Sequence, residues 1–396
     1  MSDFRLAALL GVAGLPHALR FATLFGVLAL CWALPSTVIP LEALALLGDA
    51  QRVSIFFFAV SFVGLAGNLF VPALMHAVGQ RRVFAFGAAC MAASAVLFPL
   101  GQVAALFAAM ALYVLGYLCM DLALNVTIMI HIPRREFTRF EPIRMLAMGV
   151  GFIIGPWLGV WLAVNLGFWT TVALMAALGV AAVAYALSLH LVEDAPAAAR
   201  PARPPNPLRF IPRFASQPRL RLAWLLAVGR SSWWTMFFIY TPIYCVENGL
   251  GPETAGIILS AGAVPMLLVP LWGRLGRRIG LRRLLTVGYL TTGAATAAIA
   301  AVGSGPWPGI ALLLFGTICA GLIDAAGNSL FLRAVRPNER AEMTAVFATY
   351  REVAKIGPPG VYAALLSVFA LPAVFATAGA GMVVLTWFTR YIPRRY

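Results

Sequence analysis

Apolar runs about as long as a bilayer is thick recur along almost the whole chain, and no other feature limits the fold so tightly. A helix that crosses the hydrocarbon core needs about 20 consecutive, mostly apolar residues. Such runs occupy residues 19–41, 53–76, 83–103, 105–130, 143–165 and 168–191, then 219–245, 254–273, 284–303, 308–332, 343–367 and 370–389. They predict an all-α membrane protein of twelve transmembrane helices. Only 11% of the 396 residues are charged, against about 25% in a soluble domain. A transmembrane barrel is excluded, because its strands would read as alternating segments of about ten residues.

The formal net charge is +15. Nucleic-acid binders reach such values too, but here the arginines stand between apolar runs, where they set topology. With the N-terminus inside, the cytoplasmic segments hold Arg81, Arg82, Arg134, Arg135, Arg139, the linker arginines, Arg274, Arg277, Arg278, Arg282, Arg283, Arg333, Arg336, Arg340, Arg390, Arg394 and Arg395. The opposite side holds Arg52 alone. Both termini are therefore expected in the cytoplasm. Arginine in place of lysine, with abundant alanine and glycine, suggests a bacterial chain and thus the inner membrane. Residues 6–16 resemble a signal h-region, but no small-residue cleavage site follows, so no cleaved signal is read. The five cysteines fall inside apolar runs without Cys-x-x-Cys spacing, so neither a disulfide frame nor a metal site is expected.

The stretch 192–218 interrupts the pattern with seven prolines. It reads as a linker that cannot form a helix. It separates 1–191 from 219–396, six expected helices from six. Landmarks repeat across it in one register. Pro40 and Pro242, expected to end the first helix of each half, are 202 residues apart. The basic turns GQRR and GLRR begin at Gly79 and Gly280, 201 apart. Asp121 and Asn125 match Asp324 and Asn328 at 203, and Gly155-Pro156 matches Gly357-Pro358 at 202. A shared offset at four places implies two similar halves in parallel orientation.

With that repeat in view, the sequence resembles the major facilitator superfamily. Gly273–Arg283 reads GRLGRRIGLRR and Pro72–Arg82 reads PALMHAVGQRR. Both are similar to that family's loop between helices two and three, Gly-x-x-x-Asp-Arg/Lys-x-Gly-x-Arg/Lys. The acidic position is taken by Arg277 and His76, so the acidic member of the family's cytoplasmic gate is missing or supplied elsewhere. Gly151–Gly159 reads GFIIGPWLG and is similar to the fifth-helix motif of proton-coupled exporters. Small residues at four-residue spacing also serve close helix packing, so Gly151, Gly155, Pro156 and Gly159 fit both readings. The resemblance implies two six-helix bundles rocking about a central site. Gly79, Arg81, Arg82, Gly280 and Arg282 would belong to gates. Helices one, four, seven and ten would line the cavity.

Charges in hydrocarbon cost on the order of 3 kcal/mol each and point to function. Asp121, Arg230, Asp324, Arg351, Glu352 and Lys355 lie inside the apolar runs, and Arg144 lies at a helix entrance. Tyr113, Tyr117, Asp121 and Asn125, four apart, share one face of the fourth helix. Thr317 and Asn328 accompany Asp324, and Trp234 follows Arg230 by one turn. Asp121 and Asp324 are candidates for proton coupling. Burial disfavours the carboxylate anion and a neighbouring arginine favours it, so alternating access can tie protonation to conformation. Equally, the two could be structural partners of Arg144 and Arg351. Arg230 could hold an anionic substrate group through its planar fork. Tyr113, Tyr117, Asn125, Trp234, Thr317, Asn328 and Lys355 complete the candidate binding set, although Glu352 and Lys355, three apart, could pair within one helix.

No phosphate loop, nucleophile elbow or dinucleotide fingerprint occurs. The reading is a non-enzymatic carrier without cofactor or metal, expected as a monomer. Its partners are a small organic substrate, protons and membrane lipid, not nucleic acid. Proton-coupled export is favoured. Import or facilitated passage of an organic anion, and lipid or lysolipid flipping, are the alternatives.

Overall fold

The computed structural model describes residues 15–132, 134–189, 191–192, 207–302, 305–336 and 339–393. The signal-like residues before 15, the linker stretch 193–206, Arg394 and Arg395 lie outside the described residues, as do the side chains of Arg134, Arg135, Arg139 and Arg340. Every regular element among the described residues is helical. In chain order these are α1 (Leu15–Ala33), α2 (Val38–Leu47), α3 (Ala50–Val78), α4 (Gln80–Leu97), α5 (Val103–His131), α6 (Arg134–Leu166) and α7 (Phe168–Ser188). After the linker follow α8 (Pro207–Ala215), α9 (Pro218–Glu247), α10 (Gly251–Ala263), α11 (Val269–Ile279), α12 (Leu281–Ala298), α13 (Pro306–Ala326), α14 (Ser329–Ala334), α15 (Arg340–Phe347), α16 (Tyr350–Leu366) and α17 (Pro372–Phe388).

Among the described residues, ten helices are long and apolar enough to cross a membrane. The expected spans 219–245 and 343–367 are not among them. Arg230 and the polar aromatics dilute the apolar run of α9. The other span is broken between α15 and α16, and Arg351, Glu352 and Lys355 crowd the start of α16.

Two expectations from proline need correction. The linker does contain a helix, α8. Pro207 takes its first position, where a missing N–H costs nothing, and only Pro212 sits inside. Nor do Pro40 and Pro242 end helices. Pro40 lies in the first turn of α2, and Pro242 is carried within α9.

The chain forms two compact units, one of Met1–Leu46 with Phe62–Arg203, the other of Leu47–Ser61 with Pro204–Tyr396. In the first unit α1 packs along α6, while α4 packs on α5 and α7. In the second unit α9 packs along α16, while α12 packs on α13 and α17. The same pairing scheme thus occurs within each unit, at the register the landmarks set. The repeated turns match as well. Gly79 and Gly280 precede α4 and α12 with φ of 94° and 87°, a region only glycine enters freely.

The glycines of α6 are spent on contact with the first helix. A Cβ on Gly151 would lie 2.8 Å from the Leu30 amide nitrogen, and one on Gly155 or Gly159 would overlap Ala33 or the Leu34 carbonyl. Leu47–Ser61 joins the second unit through specific bonds. Ser54 Oγ lies 2.7 Å from Tyr240 Oη, and Ser61 Oγ donates to the Lys355 carbonyl at 3.0 Å.

Candidate functional site

Each unit brings polar and aromatic side chains together inside its helices. In the second unit α9 carries Arg230 and, one turn later, Trp234, on one face. Both reach Asp324 on α13. Arg230 Nε stands 3.7 Å from Asp324 Oδ1, and Trp234 Nε1 donates to Oδ2 at 3.0 Å. The two charged side chains are 12% and 23% exposed, so water screens the pair far less than it would at a surface.

The position of Asp324 explains why it needs these partners. It lies in the last turn of α13, where the helix dipole disfavours an anion. The helix stops because Gly327 turns to φ 49° and its N–H bonds to the Asp324 carbonyl at 2.9 Å. An unbroken run 308–332 was expected. The break places Asn328, exposed, at the junction with α14. Arg230 and Trp234 offset the unfavourable dipole from a neighbouring helix.

Tyr350, at the start of α16, extends the cluster. Arg230 Nη2 reaches its Oη at 3.5 Å, and Arg351 Nε donates to the same oxygen at 3.3 Å. The Arg230 guanidinium also lies 5.8 Å from the Tyr350 ring centroid, within cation–π range. Two guanidinium groups therefore converge on one phenol oxygen.

Other expected residues have different surroundings. Thr317 is buried, donates to the Leu314 carbonyl at 2.7 Å, and turns its methyl towards Gly262 of α10. Lys355 Nζ pairs with Glu352 at 3.6 Å within α16, as their spacing allowed. Trp233 is buried and donates to Thr296 at 2.8 Å, a packing role.

In the first unit Asn125 on α5 accepts from Arg144 Nη1 at 3.4 Å, and its amide nitrogen donates to the Asp121 carbonyl at 2.8 Å. The Arg144 guanidinium sits 4.9 Å from the Phe25 ring centroid. Farther along α5, Tyr113 and Tyr117 meet Trp32 of α1. The Trp32 ring stacks on Tyr113 at 5.2 Å and tilts against Tyr117 at 4.6 Å. Tyr113 is buried and donates to the Trp32 carbonyl at 2.9 Å, so it serves packing. Trp32 and Tyr117 remain partly exposed.

Sequence reasoning missed Phe25, Trp32 and Tyr350. Phe25 and Trp32 are seven apart, two helical turns on one face, so their spacing carried a signal. Tyr350 carried none beyond its place beside Arg351.

The family model described as Major Facilitator Superfamily matches residues 21–358. No curated protein matches the chain. Solved structures do. The nucleoside transporter NupG aligns with a TM-score of 0.71 at 17% identity, over 95% of this chain and 98% of that one. The peptide transporter POT in complex with sulfate aligns with a TM-score of 0.74 at 15% identity, over 96% and 94%. A POT family transporter in complex with 5-aminolevulinic acid gives 0.72 at 14% identity, over 93% and 94%. These identities speak for the fold alone.

Proposed function

The chain belongs to the major facilitator superfamily, and from that membership we propose a proton-coupled carrier for a small organic solute, working by alternating access. As a member of that family it is a membrane transporter and not an enzyme. The proposal adds twelve spans, with α9 and the α15–α16 pair as the two more polar ones, the bacterial inner membrane, and both termini in the cytoplasm. The loop arginines support that orientation.

One observation carries the coupling. Asp324, only partly exposed, is held between a cation on α9 and an indole donor on the same helix. Any movement of α9 against α13 changes both partners together, and with them the balance between carboxylate and carboxylic acid. Proton uptake at Asp324 would release Arg230, and proton loss would recapture it. Asp121 is the candidate counterpart by its place in the repeat. The glycine motif that suggested export is occupied by packing against α1, so the direction rests on the assay.

A second reading has its own observation. Arg230 and Arg351 converge on the Tyr350 hydroxyl, and the planar fork of Arg230 suits an anionic group of the substrate. In that case Arg230 binds solute rather than governing Asp324.

The test uses reconstituted protein and a substrate found by thermal stabilisation, where a binder at one hundred times its Kd adds about 2.7 kcal/mol. Asp324→Asn is expected to lose accumulation driven by a pH gradient while still exchanging substrate across the membrane. Uphill transport by both Asp324→Asn and Asp121→Asn would sink the proton-coupled reading. Loss of all substrate binding in Arg230→Ala would move the assignment to the anion carrier.

A further inference from the structure

A groove of about 340 Å³ runs between α9, α16 and α17, within the second unit and apart from the Asp324 cluster. Its size falls in the range of small-molecule sites. Leu225 and Val228 of α9, Gly357 and Val361 of α16, and Gly381 and Met382 of α17 are among the residues of its wall. It opens outward, since Val353 and Val361 on its rim are 39% and 55% exposed.

Two glycines in the wall face open space, although Gly357 also precedes Pro358, which disfavours a Cβ on a helical residue before it. A Cβ on Gly357 or Gly381 would meet no atom within 4 Å. Neither residue adopts a positive φ. Glycine inside a helix is otherwise unfavourable, because it leaves the backbone freer than any other residue does. The repeat sharpens the contrast. Gly155, the counterpart of Gly357 202 residues earlier, is filled by Ala33 of α1. The first unit closes this position and the second leaves it open.

The occupant follows from the surroundings and from charge. In a membrane protein an outward apolar groove meets hydrocarbon, and an unfilled one would forfeit its dispersion contacts. From Leu225 to Trp233 the groove extends about 12 Å along α9. That is most of the ~15 Å hydrocarbon depth of one leaflet. Arg221 precedes Leu225 by one turn on the same helix face, and it is exposed. It lies about 6 Å beyond the groove, towards the linker end of the helix. A basic residue at that level attracts anionic head groups.

We propose that this groove binds one anionic glycerophospholipid of the surrounding leaflet, with an acyl chain between α9, α16 and α17 and the phosphate at Arg221. The site is separate from the transport reading and stands without it.

Native mass spectrometry of the full-length protein tests the proposal, with phosphatidylglycerol and phosphatidylcholine of identical chains as probes. The wild type is expected to hold one phosphatidylglycerol per monomer and to prefer it at least tenfold over phosphatidylcholine. Gly357→Leu and Gly381→Leu, which put side chains into open space, should each lower retention of both lipids at least tenfold. Arg221→Gln should remove the preference and leave chain binding. Melting temperatures check folding, and the smaller Gly357→Ala and Gly381→Ala carry the comparison if leucine disrupts the protein. Retention unchanged in the filled variants, or a head-group preference that survives Arg221→Gln, would overturn the assignment. So would a lipid-free dimer that the filled variants split, which would make a second copy the occupant.

Discussion

Trp234 donates its indole N–H to Asp324 at 3.0 Å, so this neutral donor to the carboxylate comes from the same helix that supplies Arg230. A hydrogen bond to a charged group contributes about 1.5–3 kcal/mol. Trp234→Phe keeps an aromatic ring, though a smaller one, and removes the donor. It should lower stability in detergent by about that amount and weaken gradient-driven transport. Trp233→Phe, which loses the bond to Thr296 and some packing but no contact with Asp324, should destabilise without altering coupling.

The Arg230–Asp324 pair predicts strong non-additivity. Removing one partner leaves the other charge uncompensated; that costs about 3–5 kcal/mol in a fully buried pair and less here, where the two side chains are 12% and 23% exposed. Arg230→Ala and Asp324→Asn should each show such a loss. The double variant should recover a large part of it. Thermal melts of the four proteins measure the coupling, and additive losses would show that the pair is not a unit.

The two repeat-related glycines should behave differently. Gly155→Ala forces a methyl into Ala33 and should cost about 1–3 kcal/mol or prevent folding. Gly357→Ala meets no packed neighbour, and its gain in helix propensity is set against the Pro358 ring that follows it, so stability should change by less than about 1 kcal/mol. Expression level and melting temperature of the two variants, side by side, decide it.

Outside the membrane-spanning helices, Glu339 ties α8 to the segment before α15. Gln217 Nε2 donates to its Oε2 at 3.1 Å, Arg213 donates to Oε1, and Arg336 Nη1 lies 3.9 Å away. The hydrogen bonds from Gln217 and Arg213 hold its carboxyl below the usual carboxylate range. The folded form therefore prefers the anion. This contribution is present above the ordinary carboxylate value, near pH 4.5, and is lost as pH falls through the lowered one. Protection of the α8 amides from hydrogen exchange, taken relative to the intrinsic rate at each pH, should be high at neutral pH and fall on acidification. Glu339→Gln should show the lowered protection at neutral pH too.

Much of the architecture was legible because spanning a bilayer forces long apolar runs, and those survive in a single sequence. The turns at Gly79 and Gly280 could be read because the positive φ they adopt admits little besides glycine. Proline misled in both directions. Its effect depends on the position it takes within a helix, as Pro207 and Pro242 demonstrate, and that position is not marked in the sequence. Asp324 and Arg230 stood out by their cost in hydrocarbon. Tyr350 did not, since a tyrosine at a helix start costs nothing there.

The sequence by itself determined the helical class, the two-fold repeat and the short list of intramembrane charges, because hydrophobic length, register and ionic cost are properties of residues in order. Only the tertiary structure decided which charges meet. Asp324 finds Arg230 and Trp234 through the packing of α9 with α13, 90 residues apart at the indole bond. It likewise decided that Gly155 is closed and Gly357 open. Both stand before proline at the same place in the repeat, and only the helix packed against each one distinguishes them.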